Sequence, residues 1–342
     1  MTVKDIIAEC KELCAEYTKN FLLKNIRSQY YKTSPDTYND VWIRNYCLQF
    51  VIDLLKHEEE YERIYVALGD TKSQETFREI CIKRFLYTIS MENRYCYLYY
   101  PTDNDFQTLL GKVDNTYLLS RGDVSGKTDE FLWKGYCIIS ETKNIAAFEL
   151  EQYSYSDIVQ IQNGYTVLDC GASQGEEILY FSSIAENLSF HSFTLDSQEI
   201  ERYLENMKRN EIKGYQIHRN AVWSVSEENV SFIEEGSRSM VTPFGENQIR
   251  TITLNDYVKN NSYHGPFFIK MDIEGAEVDA LLGSDDILSL PFTQAAISVY
   301  HKPNDLRKIG MILLQYRDTL YLKQCKSNLS ETMMYIDTKK GD

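Results

Sequence analysis

Apolar residues recur every three or four positions through Val3, Ile6, Ile7, Cys10, Leu13, Cys14, Tyr17 and Phe21, giving one apolar face to a helix that runs to about residue 30. Ser34-Pro35-Asp36 punctuates the chain. Val41, Trp42, Tyr46, Leu48, Val51, Ile52 and Leu55 then fit a second helix, which fades into the acid run Glu58-Glu59-Glu60, read as a solvated face. Thr76 to Ser90 predicts a third helix. The tyrosine-rich stretch from Tyr95 to Pro101 follows, with rings suited to a core or to stacking on a sugar. From about residue 160 the period changes. Short apolar or β-branched runs (YTVLDCG, SFHSFTLD, YQIHRNAVW) alternate with helical ones (EEILYFSSIAE, QEIERYLENMKRN), which argues βαβ units and a mainly parallel sheet. PFFIKMD and AAISVY read as further strands around the helical AEVDALLGSDDIL. DTLYLKQCKSNLSETMMYID reads as two strands about a Lys326-Ser327-Asn328 turn, so the sheet ends in an antiparallel hairpin. The pattern therefore divides the chain into a mainly helical accessory domain over 1–150 and an α/β domain over 151–342.

Charge narrows the partners. The 342 residues carry 36 Lys and Arg against 51 Asp and Glu, a net charge of −15. A field of that sign repels a phosphate backbone, so nucleic acid is not an expected partner, whereas a neutral or cationic ligand meets no such barrier. The apolar runs fall far short of the ~20 residues a membrane span needs. The first residues lack the uninterrupted apolar core of a signal peptide, so a cytoplasmic protein is expected. The 8 Cys are scattered without a Cys-x-x-Cys pair, which signals reduced thiols rather than a disulfide framework or a zinc site.

The segment VLDCGASQGEE (167–177) is the most informative for chemistry. A strand that ends in Asp169 and runs into Gly171, Gly175 and then a helix makes a tight turn whose backbone can approach a ligand at the carboxyl edge of the sheet. The spacing is not Gly-x-Gly-x-x-Gly. An acid two residues before the first glycine would compete with a pyrophosphate at the helix N-terminus, and it suits a ligand with a cationic end, such as the amino group and sulfonium of S-adenosylmethionine. Upstream, Gly122 to Thr128 imitates a phosphate-binding loop but is one residue short and has no convincing helix after it.

From about Tyr155 to Ile336 the chain resembles the FkbM-type methyltransferases, a branch of the class I S-adenosylmethionine-dependent enzymes. VLDCGASQGE, NAVW (220–223), TITLNDYV (251–258), IKMDIEGAE (269–277), SVYHKPNDL (298–306) and YLKQCKSNLSETMMY carry the likeness in order. The resemblance implies a Rossmann-like seven-stranded sheet ending in an antiparallel hairpin. It also implies that Asp169, Gly171, Ala172, Ser173 and Gly175 hold the methionine moiety, and that Asn220 and Ala221 read the adenine edge, with Trp223 near enough to stack. Thr194 stands where the family usually has the Glu that takes both ribose hydroxyls, and Asp196 is expected to reach in its place. Asp272 and Glu274 are expected near the donor methyl, with His301 as the candidate base. The two acids would orient His301, take the proton themselves or, with His301, hold a divalent ion such as Mg²⁺. Asn328 and Glu331 also fall on family positions, although a turn Asn and a solvated strand Glu explain them equally well.

The expected reaction is methyl transfer from S-adenosylmethionine to a hydroxyl of a sugar, glycan or polyketide-like acceptor. A catalytically inactive scaffold that binds the cofactor, motivated by Thr194, and a nicotinamide-dependent oxidoreductase, disfavoured by the glycine spacing, are the alternatives. The apolar face of the first helix fits either a homodimer seam or packing within the chain.

Overall fold

Helix α1 (Val3–Arg27) starts where Thr2 and Asp5 cap each other. Thr2 Oγ1 accepts from the Asp5 N–H at 3.2 Å and Asp5 Oδ2 accepts from the Thr2 N–H at 2.7 Å. The computed structural model describes residues 1–27, 38–90, 103–120, 129–325 and 331–338. The Ser34-Pro35-Asp36 break, the Tyr95–Pro101 stretch, the Gly122–Thr128 loop and the Lys326-Ser327-Asn328 turn lie outside these residues. After α1 come α2 (Tyr38–Lys56), α3 (Glu58–Ala67) and α4 (Thr71–Ser90). The run Glu58-Glu59-Glu60, expected as the fading end of the second helix, instead opens α3, where acids favour the positive end of the helix dipole. The apolar face of α1 (Val3, Ile6, Ile7, Cys10) is buried within the chain, largely against α4.

Helix α5 (Asp103–Tyr117), strands β1 (Leu118–Ser120), β2 (Asp129–Trp133) and β3 (Tyr136–Ser140), and helix α6 (Thr142–Glu149) follow. Periodicity did not predict the three strands, each of which has at most five residues. Lys134 and Gly135, at φ 46° and 90°, make the tight turn between β2 and β3.

The second part alternates as expected. Its first units are β4 (Thr166–Cys170), α7 (Glu176–Ser182), β5 (Ser189–Thr194), α8 (Ser197–Arg209) and β6 (Tyr215–Arg219). Short strands β7 (Ala221–Val222), β8 (Asn229–Ile233), β9 (Met240–Val241) and β10 (Asn247–Ile252) form a side sheet in the order β7-β10-β8-β9. Then come α9 (Leu254–Asn260), β11 (Phe267–Met271), α10 (Glu277–Leu282), α11 (Asp285–Ser289), β12 (Thr293–Ser298), α12 (Asp305–Leu313), β13 (Tyr321–Gln324) and β14 (Thr332–Ile336). The described residues make a seven-stranded sheet in the order β13-β14-β12-β11-β4-β5-β6. It is parallel from β12 to β6, and β14 and β13 close it as an antiparallel pair.

Strands β4, β11 and β12 are buried along their whole length, as a sheet covered on both faces requires. Alternate residues face opposite ways. Leu168, Ile269 and Ile297 join a core with α1 to α4, whereas Val167, Phe268 and Ala296 join one with Phe131, Trp133 and Phe148. The first 150 residues thus cover both faces of the sheet. Strand order reverses at β4, so the crevice beyond the carboxyl ends of β4 and β11 is where such a sheet binds ligands. No described helix is long and apolar enough to cross a membrane, and no described cysteine is in a disulfide.

Candidate active site

The turn from β4 to α7 has the shape its glycines suggest. Gly171 (φ 87°) and Gly175 (φ 78°) are left-handed, and a Cβ on Gly171 would stand 1.9 Å from the Asp272 carbonyl oxygen. The N–H groups of Gly171 and Ala172 both donate to the Phe193 carbonyl, at 2.9 and 3.0 Å. Ala172 is fully buried, so it supports the turn from beneath, while Ser173 faces the crevice. Asp169 lies lower than the sequence led us to expect. It has no exposed surface and pairs with Lys270 Nζ at 3.2 Å, and Ser192 Oγ donates to it at 3.3 Å. Lys270 also meets Glu177 at 3.4 Å and donates to the Gly171 carbonyl at 2.7 Å. Burial works to lower the Lys270 pKa, yet Glu177 and Asp169 hold it above its ordinary value; burial raises Glu177. Asp169 therefore braces the turn through Lys270, a lysine that reads in the sequence only as a polar break in an apolar strand.

Above the turn lies a cleft of about 520 Å³, lined by Ser173, Thr194, Glu199, Asn220, Ala221 and Asp272 among others. Asn220 and Ala221 are on the wall of this cleft. Asp196 and Trp223 are not on its wall. Asp196 caps α8: Oδ1 accepts from the N–H groups of Gln198 (2.7 Å) and Glu199 (3.1 Å), and Oδ2 accepts from the Gly236 N–H (2.8 Å) and Ser239 Oγ (3.3 Å). The expectation that Asp196 takes the ribose hydroxyls is thus corrected, since its oxygens already serve the helix and the loop. Glu199 faces the cleft instead. Its carboxylate accepts from Ser173 Oγ and Thr194 Oγ1, both at 3.1 Å.

At the end of β11, Asp272 and Glu274 enter a tight turn in which Glu274 (φ 53°) and Gly275 (φ 96°) are left-handed. His301, after β12, comes to the same edge. Its Nε2 lies 3.4 Å from Asp272 and 3.6 Å from Glu274, and its Nδ1 lies 2.9 Å from Glu277. These are ionic contacts rather than well-aimed hydrogen bonds. Glu277 is fully buried and also accepts from the Ile273 N–H at 2.9 Å, while Tyr300 donates to Asp272 at 3.2 Å. Burial of His301 favours its neutral form, but the charges of Glu277, Asp272 and Glu274 overcome this and hold its pKa at about 10. Burial lifts Glu274 to about 7. The sequence offered His301 as the base; the geometry keeps a proton on it and leaves Glu274 as the acid open to the cleft.

Asp272, Glu277 and His301 each place one ligand atom within 4.8 Å of the others, so Glu277 stands where Glu274 was expected in that set. One imidazolium leaves negative charge in excess among these acids, and two carboxylates with one imidazole nitrogen are a donor set that a divalent ion can use.

A second cleft of about 670 Å³ meets the first at Gly171, Ser173, Asp272 and Glu274. Its far walls include Asn144, Phe148, Gln152, Tyr153, Tyr300 and Glu331. Glu331 is therefore on the site, where it accepts from Gln152 Nε2. Periodicity gave no hint that residues 143–153 form a wall. They are tied down from both sides, because Asn144 donates to Glu176 at the head of α7 and Lys323 donates to the Leu150 and Glu151 carbonyls at 2.8 and 2.9 Å. From the other face, Tyr46 donates to the Tyr300 carbonyl at 2.7 Å, and Arg307 binds Asp53 (2.8 and 2.9 Å) and Glu60 (2.7 Å).

A mixed seven-stranded sheet in this order, with a glycine turn and an acid turn meeting at its point of reversal, is the class I methyltransferase fold. Residues 163–325, a little under half of the chain, match the family model described as the methyltransferase FkbM domain. Among solved structures the chain is similar to a methyltransferase FkbM from Methylobacillus flagellatus KT, at 17% identity and a TM-score of 0.53, over 83% of this chain. It spans 60% of the length of that structure. A precorrin-6y C5,15-methyltransferase from Geobacter metallireducens GS-15 matches at 12% identity and a TM-score of 0.36, over 59% of this chain and 91% of its own. A putative methyltransferase from Streptococcus mutans in complex with SAH matches at 12% identity and a TM-score of 0.33, over 57% of this chain and 97% of its own. No curated protein matches the chain.

Proposed function

We propose that the protein transfers a methyl group from S-adenosylmethionine to a hydroxyl of a small sugar, glycan or polyketide-like acceptor. The observation that carries this reading is the meeting of two clefts at Asp272 and Glu274, one beside the glycine turn and one beneath residues 143–153. The side chains fit the cofactor: a turn with no room for a Cβ at Gly171 leaves backbone and Ser173 facing the adenosyl end, with Asn220 and Ala221 farther along. S-adenosylmethionine supplies an electrophilic methyl carbon, whose bond to sulfur breaks as the acceptor oxygen attaches. The chain's own task is to hold that oxygen within reach and to take its proton. Glu274 faces both clefts and is placed to accept the proton, while the His301 imidazolium positions Asp272 and Glu274. Asn144, Gln152 and Glu331 offer groups that hydrogen-bond hydroxyls, and Phe148, Tyr153 and Tyr300 offer ring faces or edges to a sugar.

Calorimetric titration with S-adenosylmethionine and S-adenosylhomocysteine, with NADH as control, followed by transfer of labelled methyl to a panel of sugar and polyketide alcohols, tests this. Adenosyl binding in about the micromolar range, together with label on an acceptor oxygen, is expected. Adenosyl binding without transfer to any acceptor would favour the inactive scaffold, and NADH binding in its place would restore the oxidoreductase reading.

A further inference from the structure

Glu199 is a carboxylate on the wall of the cofactor-side cleft, and the reaction above gives it no task. It is 4% exposed and sits in the first turn of α8. Each of its oxygens receives one hydroxyl, Ser173 Oγ on Oε1 and Thr194 Oγ1 on Oε2. A carboxylate has about four acceptor sites, so each oxygen keeps a free one, side by side on one rigid group. Among the described residues no Lys, Arg or His forms an ion pair with it. A buried anion of this kind, held by two neutral hydroxyls and open to a cleft, is completed by a ligand that brings two more donors on adjacent atoms.

We propose that Glu199 binds the vicinal hydroxyls of the cofactor's ribose, replacing from the first turn of α8 the acid that Thr194 lacks at the end of β5. The assignment rests on the cofactor reading above. Thr194 retains a part in it, because its hydroxyl fixes the carboxylate, as Ser173 does from the glycine turn. Asp196, the nearer acid in sequence terms, has both oxygens occupied twice over by the helix cap and the Gly236 to Ser239 loop. The electrostatics agree. Burial first, then the charges of Glu176 on α7 and of Asp196 at the helix cap, lift Glu199 to about 7, against the two hydroxyls that favour its charged form. Binding through the carboxylate therefore weakens as pH falls below neutrality, where one acceptor site is lost to a proton.

The test is a calorimetric cycle with S-adenosylhomocysteine and its 2′-deoxy analogue on the wild type and on Glu199→Gln. Wild type should lose about 10- to 100-fold in affinity on deoxygenation, and Glu199→Gln should lose a similar factor for the intact ligand. In Glu199→Gln the two ligands should then differ by little, and its affinity should be flat between about pH 6 and 8 where the wild type's falls. A Glu199→Gln protein that binds S-adenosylhomocysteine like the wild type, or that keeps the full deoxygenation penalty, overturns the assignment and leaves the cofactor reading standing. Absence of binding to the wild type overturns both. If Glu199→Gln does not fold, as judged by its thermal transition, Glu199→Asp serves in the same cycle. Its shorter arm should reduce the deoxygenation penalty, and an undiminished penalty counts against the assignment.

Discussion

Two buried cations stand among carboxylates at neighbouring strand ends, and their surroundings differ. Lys270 is 1% exposed, pairs with Asp169 and Glu177, and gives a further proton to the Gly171 carbonyl. It lies buried beneath the turn, although it and Glu177 reach the wall of the second cleft, and its proton is held tightly. His301 faces one more acid, and two of its three, Asp272 and Glu274, border the clefts. Charge buried and closely matched fixes shape. Charge left in excess beside a cleft leaves an acid, Glu274, free to exchange a proton near neutrality.

Substitutions at each centre separate these roles. Lys270→Met should cost about 3–5 kcal/mol by stranding Asp169 and Glu177 without a counter-charge, read as a lower urea midpoint. An unchanged midpoint would mean that the lysine cluster is dispensable to the fold. Glu274→Gln should lower turnover by about 10²- to 10⁴-fold, leave S-adenosylhomocysteine affinity intact and, by removing a charge that burial disfavours, raise rather than lower the midpoint near neutral pH; full turnover would remove Glu274 as the proton acceptor.

Acidity distinguishes the clusters as well. Glu274 is lifted from 4.5 to about 7, so its charge costs stability above pH 4.5, the cost growing up to about 7. His301 is raised from 6.5 to about 10, so its contribution is complete below 6.5 and is lost as pH rises toward 10. Both signs agree: the melting temperature should fall steadily from mildly acidic to alkaline pH. A His301→Gln protein should lose the upper part of that slope, and an unaltered slope would place the titrating group elsewhere. Asn144→Ala should cost about 1–3 kcal/mol, because buried Glu176 loses a donor. Tyr46→Phe should have the smallest effect, about 1 kcal/mol, with turnover little changed.

Much of this was legible in the sequence. The β4 turn, the IKMDIEGAE turn and the SVYHKP strand end are local patterns, and they fall at the point of strand reversal as expected. Asp169 and Asp196 were drawn to the right neighbourhood with the wrong partners, whereas His301 does meet Asp272 and Glu274, with Glu277 as a third acid that the sequence reading did not include. For Asp196 the signal was available: an acid followed three residues later by Glu199 at the head of an amphipathic helix marks an N-cap, and a capping carboxylate is already occupied. For Asp169 it was not, since Lys270 is far away in sequence and joins it only through strand pairing. The wall at residues 143–153 was also invisible, because a short helix between short strands takes its position from Glu176 and Lys323 rather than from any period of its own.

The reach of the Tyr46 hydroxyl to the Tyr300 carbonyl has a meaning for how the chain is made. The two residues are 254 positions apart, and the Leu322 N–H that donates to Ser73 is 249 positions from it. At ribosomal speeds of about 5–20 residues per second, the first helices wait on the order of ten seconds or more for the strands that cover them. Phe50 and Phe77 can pack on Tyr61 within that interval, but the part of their core formed with Ile269, Ile297 and Met334 closes only once those strands have been made.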